Sequence, residues 1–262
     1  MSAADPYAAP KSAVADARTD AGPGEYVDDG QRVGASAGWR WIAEGWRIFR
    51  LQPGMWVGVS VVFMLMYGAA SMVPFIGSVA TMVATPVAFA GLLLGCRDLE
   101  AGGELTMEHL FAGFRAKSGP LFALGALYLA AMMIVMLAVF LLAGGAFALS
   151  FLGGGGKPDD VVVGLVIVLA ILVAMALSMP IVMAFWMATP LVLFHDLGPA
   201  QAIRSSFYGC LKNWLPFLVY GFVAVLLVIP ATLPLLLGWL VLMPVFYASY
   251  YVSYRDIFTR PA

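Results

Sequence analysis

Six long apolar stretches that contain no Asp, Glu, Lys or Arg constrain this chain more than any other feature. They cover residues 55–73, 77–95, 121–150, 161–194, 215–233 and 238–254. A helix needs about 20 consecutive apolar residues to cross the hydrocarbon core of a bilayer. With 62% hydrophobic and only 11% charged residues, the chain could not cover a soluble surface without large apolar patches. The sequence therefore predicts an all-α polytopic membrane bundle with six transmembrane helices.

The basic residues lie almost entirely on one side of these predicted spans. Of the 14 Lys and Arg residues, all but Lys157 fall near the N-terminus, in the loops after the second and fourth spans, or at the C-terminus. Lys and Arg accumulate in the cytoplasmic loops of membrane proteins. We therefore expect a bacterial inner (plasma) membrane protein whose N- and C-termini are both cytoplasmic.

The first 36 residues differ in composition from the rest of the chain. They are rich in Ala, Asp, Gly and Pro, and their acidic residues outnumber their basic residues. Such a segment cannot bury enough apolar surface to offset the entropy of ordering. This composition predicts a disordered acidic cytoplasmic tail over residues 1–36 and a six-helix transmembrane domain over residues 37–262.

A unit that occurs three times indicates an internal repeat. Each unit has a short amphipathic stretch, two apolar spans and a basic-acidic-aliphatic triplet. The triplets are Arg97-Asp98-Leu99, His195-Asp196-Leu197 and Arg255-Asp256-Ile257. An offset of 158 residues relates the first triplet to the third, and also relates Pro86-Val87 to Pro244-Val245, whereas the prolines of the middle unit depart from this spacing. The pattern predicts three helical hairpins, each preceded by an amphipathic helix.

The amphipathic stretches carry apolar side chains at helical spacing, with charged side chains opposite. The apolar positions are Trp39, Ile42, Trp46 and Phe49; Met107, Leu110, Phe111 and Phe114; and Ile203, Phe207, Leu211 and Trp214. This pattern is typical of helices that lie in the membrane interface. Helices packed on the cytoplasmic ends of the bundle would show the same pattern. Four tyrosines near the end of the last span, Tyr247, Tyr250, Tyr251 and Tyr254, indicate an interfacial aromatic belt.

The triplets hold the only recurrent polar groups, and two interpretations of them stay open. The candidate contacts to a lipid head group or a partner are Arg97, Asp98, His195, Asp196, Arg255 and Asp256. In the alternative interpretation, each Asp caps a turn or pairs with a nearby Arg, and each base reaches toward lipid phosphate.

No motif in the sequence indicates an enzyme. The two histidines lack companion ligands at metal-binding spacing, and neither a nucleophile elbow nor a phosphate-binding loop is present. The net charge of −1 and the absence of a basic patch argue against a nucleic-acid partner. We expect no catalytic residues, cofactor or metal. The spans lack ionisable side chains, which disfavours a pathway for a hydrophilic substrate but leaves an apolar or lipid substrate open.

Several of these motifs resemble those of a family of uncharacterised bacterial multi-pass inner-membrane proteins. They are Gly45-Trp46-Arg47-Ile48-Phe49, Pro86-Val87 leading to Arg97-Asp98, and the run from Tyr250 to Asp256. The repeated plan is more distantly similar to the membrane domain that precedes the catalytic domain of some glycerophosphodiester phosphodiesterases. No catalytic domain follows in this sequence, so the resemblance implies a fold and no activity.

Two hypotheses for function follow from these observations. The first is a non-enzymatic membrane module that organises lipids or other membrane proteins, with membrane lipids, a second copy of the chain or other membrane proteins as partners. The alternative is a transporter or flippase-like carrier for an amphipathic or lipid-like molecule. The carrier hypothesis predicts a cavity between the hairpins that opens to lipid or to the cytoplasm.

Overall fold

The computed structural model describes residues 24–152, 160–233 and 237–260, which form a helical bundle with one two-residue strand pair. The helices are α1 (Ala37–Phe49), α2 (Pro53–Ser71), α3 (Ile76–Glu100), α4 (His109–Ala116), α5 (Ser118–Leu152), α6 (Asp160–Trp186), α7 (Ala188–His195), α8 (Pro199–Lys212), α9 (Trp214–Thr232) and α10 (Trp239–Phe258). The strands are β1 (Glu25–Tyr26) and β2 (Thr259–Arg260), which pair in antiparallel register.

Five segments of the described chain are long and apolar enough to cross a membrane. They are α2, α3, most of α5, the combined α6–α7 segment and α9. Helix α10 is outside this set, because tyrosines, serines and the Arg255-Asp256 pair replace many of its apolar residues. A multi-pass helical membrane protein is therefore confirmed, whereas a sixth span and the hairpin plan stay predictions.

Helix α10 lies at the centre of the bundle rather than at its lipid-facing surface. It buries Tyr247, Tyr251 and Tyr254 together with most of its small residues. Each of the four tyrosines has another of them three or four positions away, which places them on one face of a helix. That face points inward, so the interpretation of these tyrosines as an interfacial belt is wrong.

Helix α1 packs directly onto α10. A Cβ atom added at Gly45 would lie 2.7 Å from the Ser249 backbone nitrogen, so only glycine permits this approach. Ile42 and Phe49 are buried, but Trp39 and Trp46 are 58% and 44% exposed. The four residues predicted to share one apolar stripe are thus divided between the protein core and the outer surface, because α1 carries apolar side chains on more than half of its circumference.

The other two amphipathic helices also pack on a neighbouring helix. Helix α4 lies against α3, and α8 lies against α6 and α7. At Gly113 of α4, an added Cβ atom would lie under 3.0 Å from the Val87 carbonyl oxygen. Phe111, Phe114 and Leu211 are nevertheless exposed, so each helix combines a packed face with an apolar outer face.

The segment that precedes α1 is folded across one end of the bundle. Gln31 Nε2 donates to the backbone oxygens of Asp256 and Thr259 at 2.9 and 3.2 Å. Asn213 accepts from the Val33 backbone amide and donates to the Gln31 carbonyl. The expectation of a disordered tail up to residue 36 is therefore wrong for residues 24–36, because backbone hydrogen bonds replace the apolar burial that the composition lacks. Residues 1–23 lie outside the described part of the chain.

The middle hairpin contains the longest helices. Helix α5 has 35 residues, which at 1.5 Å per residue corresponds to about 52 Å. The fourth predicted span is interrupted at Met187, between α6 and α7. Pro190 follows three residues later and cannot donate a hydrogen bond to the Trp186 carbonyl.

Candidate functional site

A cavity of about 610 Å³ lies between the helices of all three predicted hairpins. Helix α3 contributes Met82 and Pro86 to its wall, and α5 contributes Leu124 and Tyr128. The remaining wall comes from α6, α7, α9 and α10. Ligand sites in membrane bundles commonly lie between helices in this way. The described parts of all three predicted hairpins thus contribute to the cavity wall.

Aromatic side chains form much of the cavity wall. They include Phe89, Phe185, Trp186, Phe246, Tyr247 and Tyr250. Several of these rings meet edge to face, with centroids 5.3 Å apart for Phe89 and Tyr247 and 5.8 Å apart for Trp186 and Tyr250. Val182 and Trp186 are exposed, so the cavity reaches the outer surface of the bundle beside α6.

The break between α6 and α7 lies in the cavity wall. The Tyr250 hydroxyl donates to the Trp186 carbonyl, which is the acceptor that Pro190 leaves unused. On the other side of the break, Ser206 Oγ accepts from the Met187 amide at 2.9 Å and donates to the Met183 carbonyl at 2.8 Å. Irregular backbone at membrane depth is tolerated where protein groups satisfy it or where it lines a cavity. Both conditions hold here.

The cavity begins close to one end of the bundle. Tyr250 lies five residues before Arg255 on α10, which corresponds to about 8 Å of helix. Phe89 lies eight residues before Arg97 on α3, or about 12 Å. The cavity therefore begins within about two to three turns of helix from the charged triplets.

The hydroxyl groups around the cavity fall into two sets. Thr85 shares a 2.9 Å hydrogen bond with Tyr67, and Tyr220 shares one of 2.9 Å with Ser249. Within the described residues, the hydroxyls of Tyr128 and Tyr247 have no such partner. These two residues belong to different helices of the wall, α5 and α10, and their hydroxyls are available to bind a ligand.

The three charged triplets meet at the end of the bundle through neighbouring residues. The Arg97 guanidinium lies over the Phe194 ring at 5.8 Å. His195 Nε2 shares a 2.6 Å hydrogen bond with the Tyr254 hydroxyl, and the Arg255 guanidinium forms an ion pair with Glu100. The ends of α3, α7 and α10 are therefore linked in a closed circuit.

Arg255 is the best-paired base of this cluster. It binds Glu100 and also Glu44, the latter at 3.1 Å, with about a third of its side chain exposed. Burial alone would lower the pKa of Arg255, but the two carboxylates outweigh it and raise that pKa above its ordinary value. Arg255 thus ties α10 to α1 and α3 as a permanent cation.

The aspartates of the triplets each pair with a base. Asp98 accepts from Arg97 at 3.2 Å and contacts His109 at 3.1 Å. Asp256 accepts from Arg40 at 2.7 Å and from Trp41 Nε1 at 2.8 Å. Asp196, with a left-handed backbone, pairs with Lys117. This geometry agrees with the interpretation that the aspartates pair with nearby bases, and a contact with a lipid head group stays a prediction.

The carrier hypothesis predicted a cavity between the hairpins, but the sequence interpretation did not identify the residues that line it. Its polar groups come from single Tyr and Thr side chains on five different helices, and no local spacing joins them. The run of tyrosines on α10 was the available signal, because Tyr247, Tyr250, Tyr251 and Tyr254 share one face. In the described residues, no three His, Cys, Asp or Glu side chains gather as a metal site would require.

Comparison with known proteins identifies the family. No family model matches the chain, and no solved structure matches it. The chain is 31% identical over 261 residues to "Probable inner membrane protein BTH_II0599" of Burkholderia thailandensis, an alignment that covers 86% of this chain and 92% of that protein. The similarity to the membrane domain of glycerophosphodiester phosphodiesterases finds no support here and stays a prediction. Together with the apolar helices, the similarity to BTH_II0599 shows that this chain is a multi-pass inner-membrane protein and belongs to the family of BTH_II0599.

Proposed function

We propose that this protein is a non-enzymatic carrier that takes up a lipid-like or amphipathic molecule in its central cavity. The single observation that carries the proposal is the cavity of about 610 Å³ between the three hairpins. Its size is within the range of small-molecule sites in proteins. The broken α6–α7 segment in its wall adds support, because discontinuous helices often line transport sites. The exposed rim at Val182 and Trp186 would admit a molecule from the surrounding lipid.

The proposed topology has six spans, with both termini and the charged triplets in the cytoplasm. The distribution of Lys and Arg supports this orientation. The pairing of Glu25 with Arg260 supports it independently, since it holds the two ends of the described chain at the same end of the bundle. Helix α10 would then be the sixth span, shielded from lipid by its neighbours.

The proposed internal repeat has support from two matching helix contacts. Gly45 of α1 lies against the Val245 carbonyl, and Gly113 of α4 lies against the Val87 carbonyl. Val87 and Val245 are related by the same offset of 158 residues that relates the first and third triplets. Each amphipathic helix would thus pack on the last helix of another hairpin.

The alternative function, organisation of membrane lipids or proteins, has one supporting observation. Met107, just before α4, and Phe111 and Phe114 of α4 are each more than 40% exposed, and they suit contact with lipid or with another membrane protein. An organising role would use only this outer face and would leave the cavity between the hairpins without a function. We therefore prefer the carrier hypothesis.

The test is native mass spectrometry of the protein extracted from its own membrane into nanodiscs. Ala224 lines the cavity, and an Ala224→Trp substitution should fill it and remove a co-purifying lipid-like molecule. Val225 is 61% exposed on the same helix, so Val225→Trp is the matched control and should keep the molecule. Equal retention by wild type and both variants would rule out the cavity as its binding site.

A further inference from the structure

The absence of charged residues from the cavity wall indicates the chemical class of the ligand. This inference rests on the proposed function above. Every residue of the wall is apolar, aromatic or hydroxyl-bearing, and none is charged. An ionised group placed in such a wall would lose its hydration without gaining a counter-ion, at a large cost in free energy. A charged head group therefore does not fit inside the cavity.

The charged cluster at the end of the bundle does not supply the missing counter-ions. Arg255 already binds Glu44 and Glu100, and Arg97 binds Asp98. These bases are also separated from the cavity by a turn or more of helix. A phosphate bound here would have to displace an existing carboxylate, so the cluster offers little for a ligand that occupies the cavity.

The volume sets the size of the ligand. A cavity of 610 Å³ corresponds to about 20 water-sized volumes. That space accommodates one acyl chain with a small polar end, but not both chains of a diacyl lipid. The aromatic wall provides the apolar contacts for the chain.

The unpaired hydroxyls of the wall indicate which polar group the ligand carries at the end of its acyl chain. Tyr128 of α5 and Tyr247 of α10 both line the cavity, and both hydroxyls lack a hydrogen-bond partner among the described residues. An unpaired polar group in an apolar site is unfavourable until it finds a hydrogen-bond partner. A neutral ester, ketone or hydroxyl of a ligand can accept a hydrogen bond from such a tyrosine hydroxyl without bringing a charge into the cavity.

We infer that the cavity binds an uncharged single-chain lipid, or one chain of an uncharged lipid, whose neutral polar group hydrogen-bonds to Tyr128 and Tyr247. Phospholipids with ionised head groups are then excluded from the cavity, although they surround the protein. The exposed rim at Val182 and Trp186 is the entry route, because it connects the cavity to the outer surface of the bundle.

The test uses two probes that differ only in a phosphate group, 1-oleoylglycerol and 1-oleoyl-lysophosphatidate. The purified full chain in detergent is incubated with an equimolar mixture, and bound lipid is counted by native mass spectrometry. We expect one 1-oleoylglycerol per chain and at least tenfold less 1-oleoyl-lysophosphatidate. The double variant Tyr128→Phe/Tyr247→Phe should bind 1-oleoylglycerol about tenfold more weakly, because it loses two hydrogen bonds.

Tyr208→Phe is the matched control, since this exposed tyrosine of α8 lies outside the cavity, and thermal melting checks that all variants fold. Equal or stronger binding of the phosphate-bearing probe would overturn the inference and leave the carrier hypothesis intact. Unchanged binding by the double variant would overturn the role of the two hydroxyls. Binding of neither probe by wild type, with no loss of native lipid in Ala224→Trp, would overturn both the inference and the proposed function.

Discussion

The contact between α1 and α10 leads to a quantitative prediction for Gly45→Ala. The added Cβ would lie 2.7 Å from the Ser249 amide nitrogen and 2.8 Å from the Val245 carbonyl oxygen. Ordinary contacts begin at 3.4 Å, so the two helices must separate by about 0.7 Å. A gap of that size forfeits roughly a quarter to a half of each facing contact. Because both obstructing atoms belong to the backbone, no side chain can rotate to relieve the clash.

The expected cost of this overpacking is about 1–3 kcal/mol of unfolding free energy. Alanine also gains about 1 kcal/mol over glycine in helix propensity, so the variant needs a control with the same gain. Gly221 of α9 has nothing within 4 Å of its added Cβ, and Gly221→Ala supplies that control. In one detergent, the melting temperature of Gly45→Ala should be lower than that of Gly221→Ala, by roughly 2–4 °C for each kcal/mol of unfolding free energy lost. Equal melting temperatures for the two variants would refute the close packing of α1 on α10.

Three further predictions concern the charged cluster, a buried thiol and the topology. Arg255→Gln should lower the unfolding free energy by about 1–3 kcal/mol, because Glu100 loses its nearest base and is left with the longer 3.4 Å contact to Arg47. Arg50→Gln at an exposed position should change it little, and similar melting of the two variants would contradict the role of Arg255. Burial raises the pKa of Cys210 to about 12, so this thiol should resist maleimide at pH 7 until the protein is unfolded. As pH rises, the thiol loses its proton in the unfolded protein before it does so in the folded protein, so Cys210 should lower the free energy of unfolding between about pH 9 and pH 12. Maleimide labelling of Cys210 in the folded protein would disprove the burial. A cysteine introduced by Lys157→Cys should react with a membrane-impermeant reagent from the periplasmic side of intact cells, and labelling only after lysis would reverse the proposed orientation.

The sequence predicted the membrane class well and the packing of its amphipathic helices less well. The charge-free spans determine the class, since they are a property of composition alone. For α1, the periodicity indicated a stripe through Trp39 and Trp46, but the structure buries Trp41 and Ile48 instead. Several faces of this helix are apolar, so only the shape of α10 and the close approach at Gly45 select the buried one.

The folded segment at residues 24–36 illustrates a second limit. Its composition predicts disorder because apolar residues are few, but its backbone finds partners on distant helices. Asn213, more than 170 positions away, binds both Gln31 and Val33. Contacts at such separations cannot be inferred from local composition.

The sequence by itself determined that this protein lies in a membrane, because the cost of placing charge in hydrocarbon depends on residue type alone. The positions of Lys and Arg likewise predicted its orientation without reference to any contact. Only the tertiary structure decided that a cavity separates the hairpins and that Tyr128 and Tyr247 face it. These residues are 119 positions apart in the chain, and their placement around one cavity depends on how whole helices pack, which no local pattern encodes.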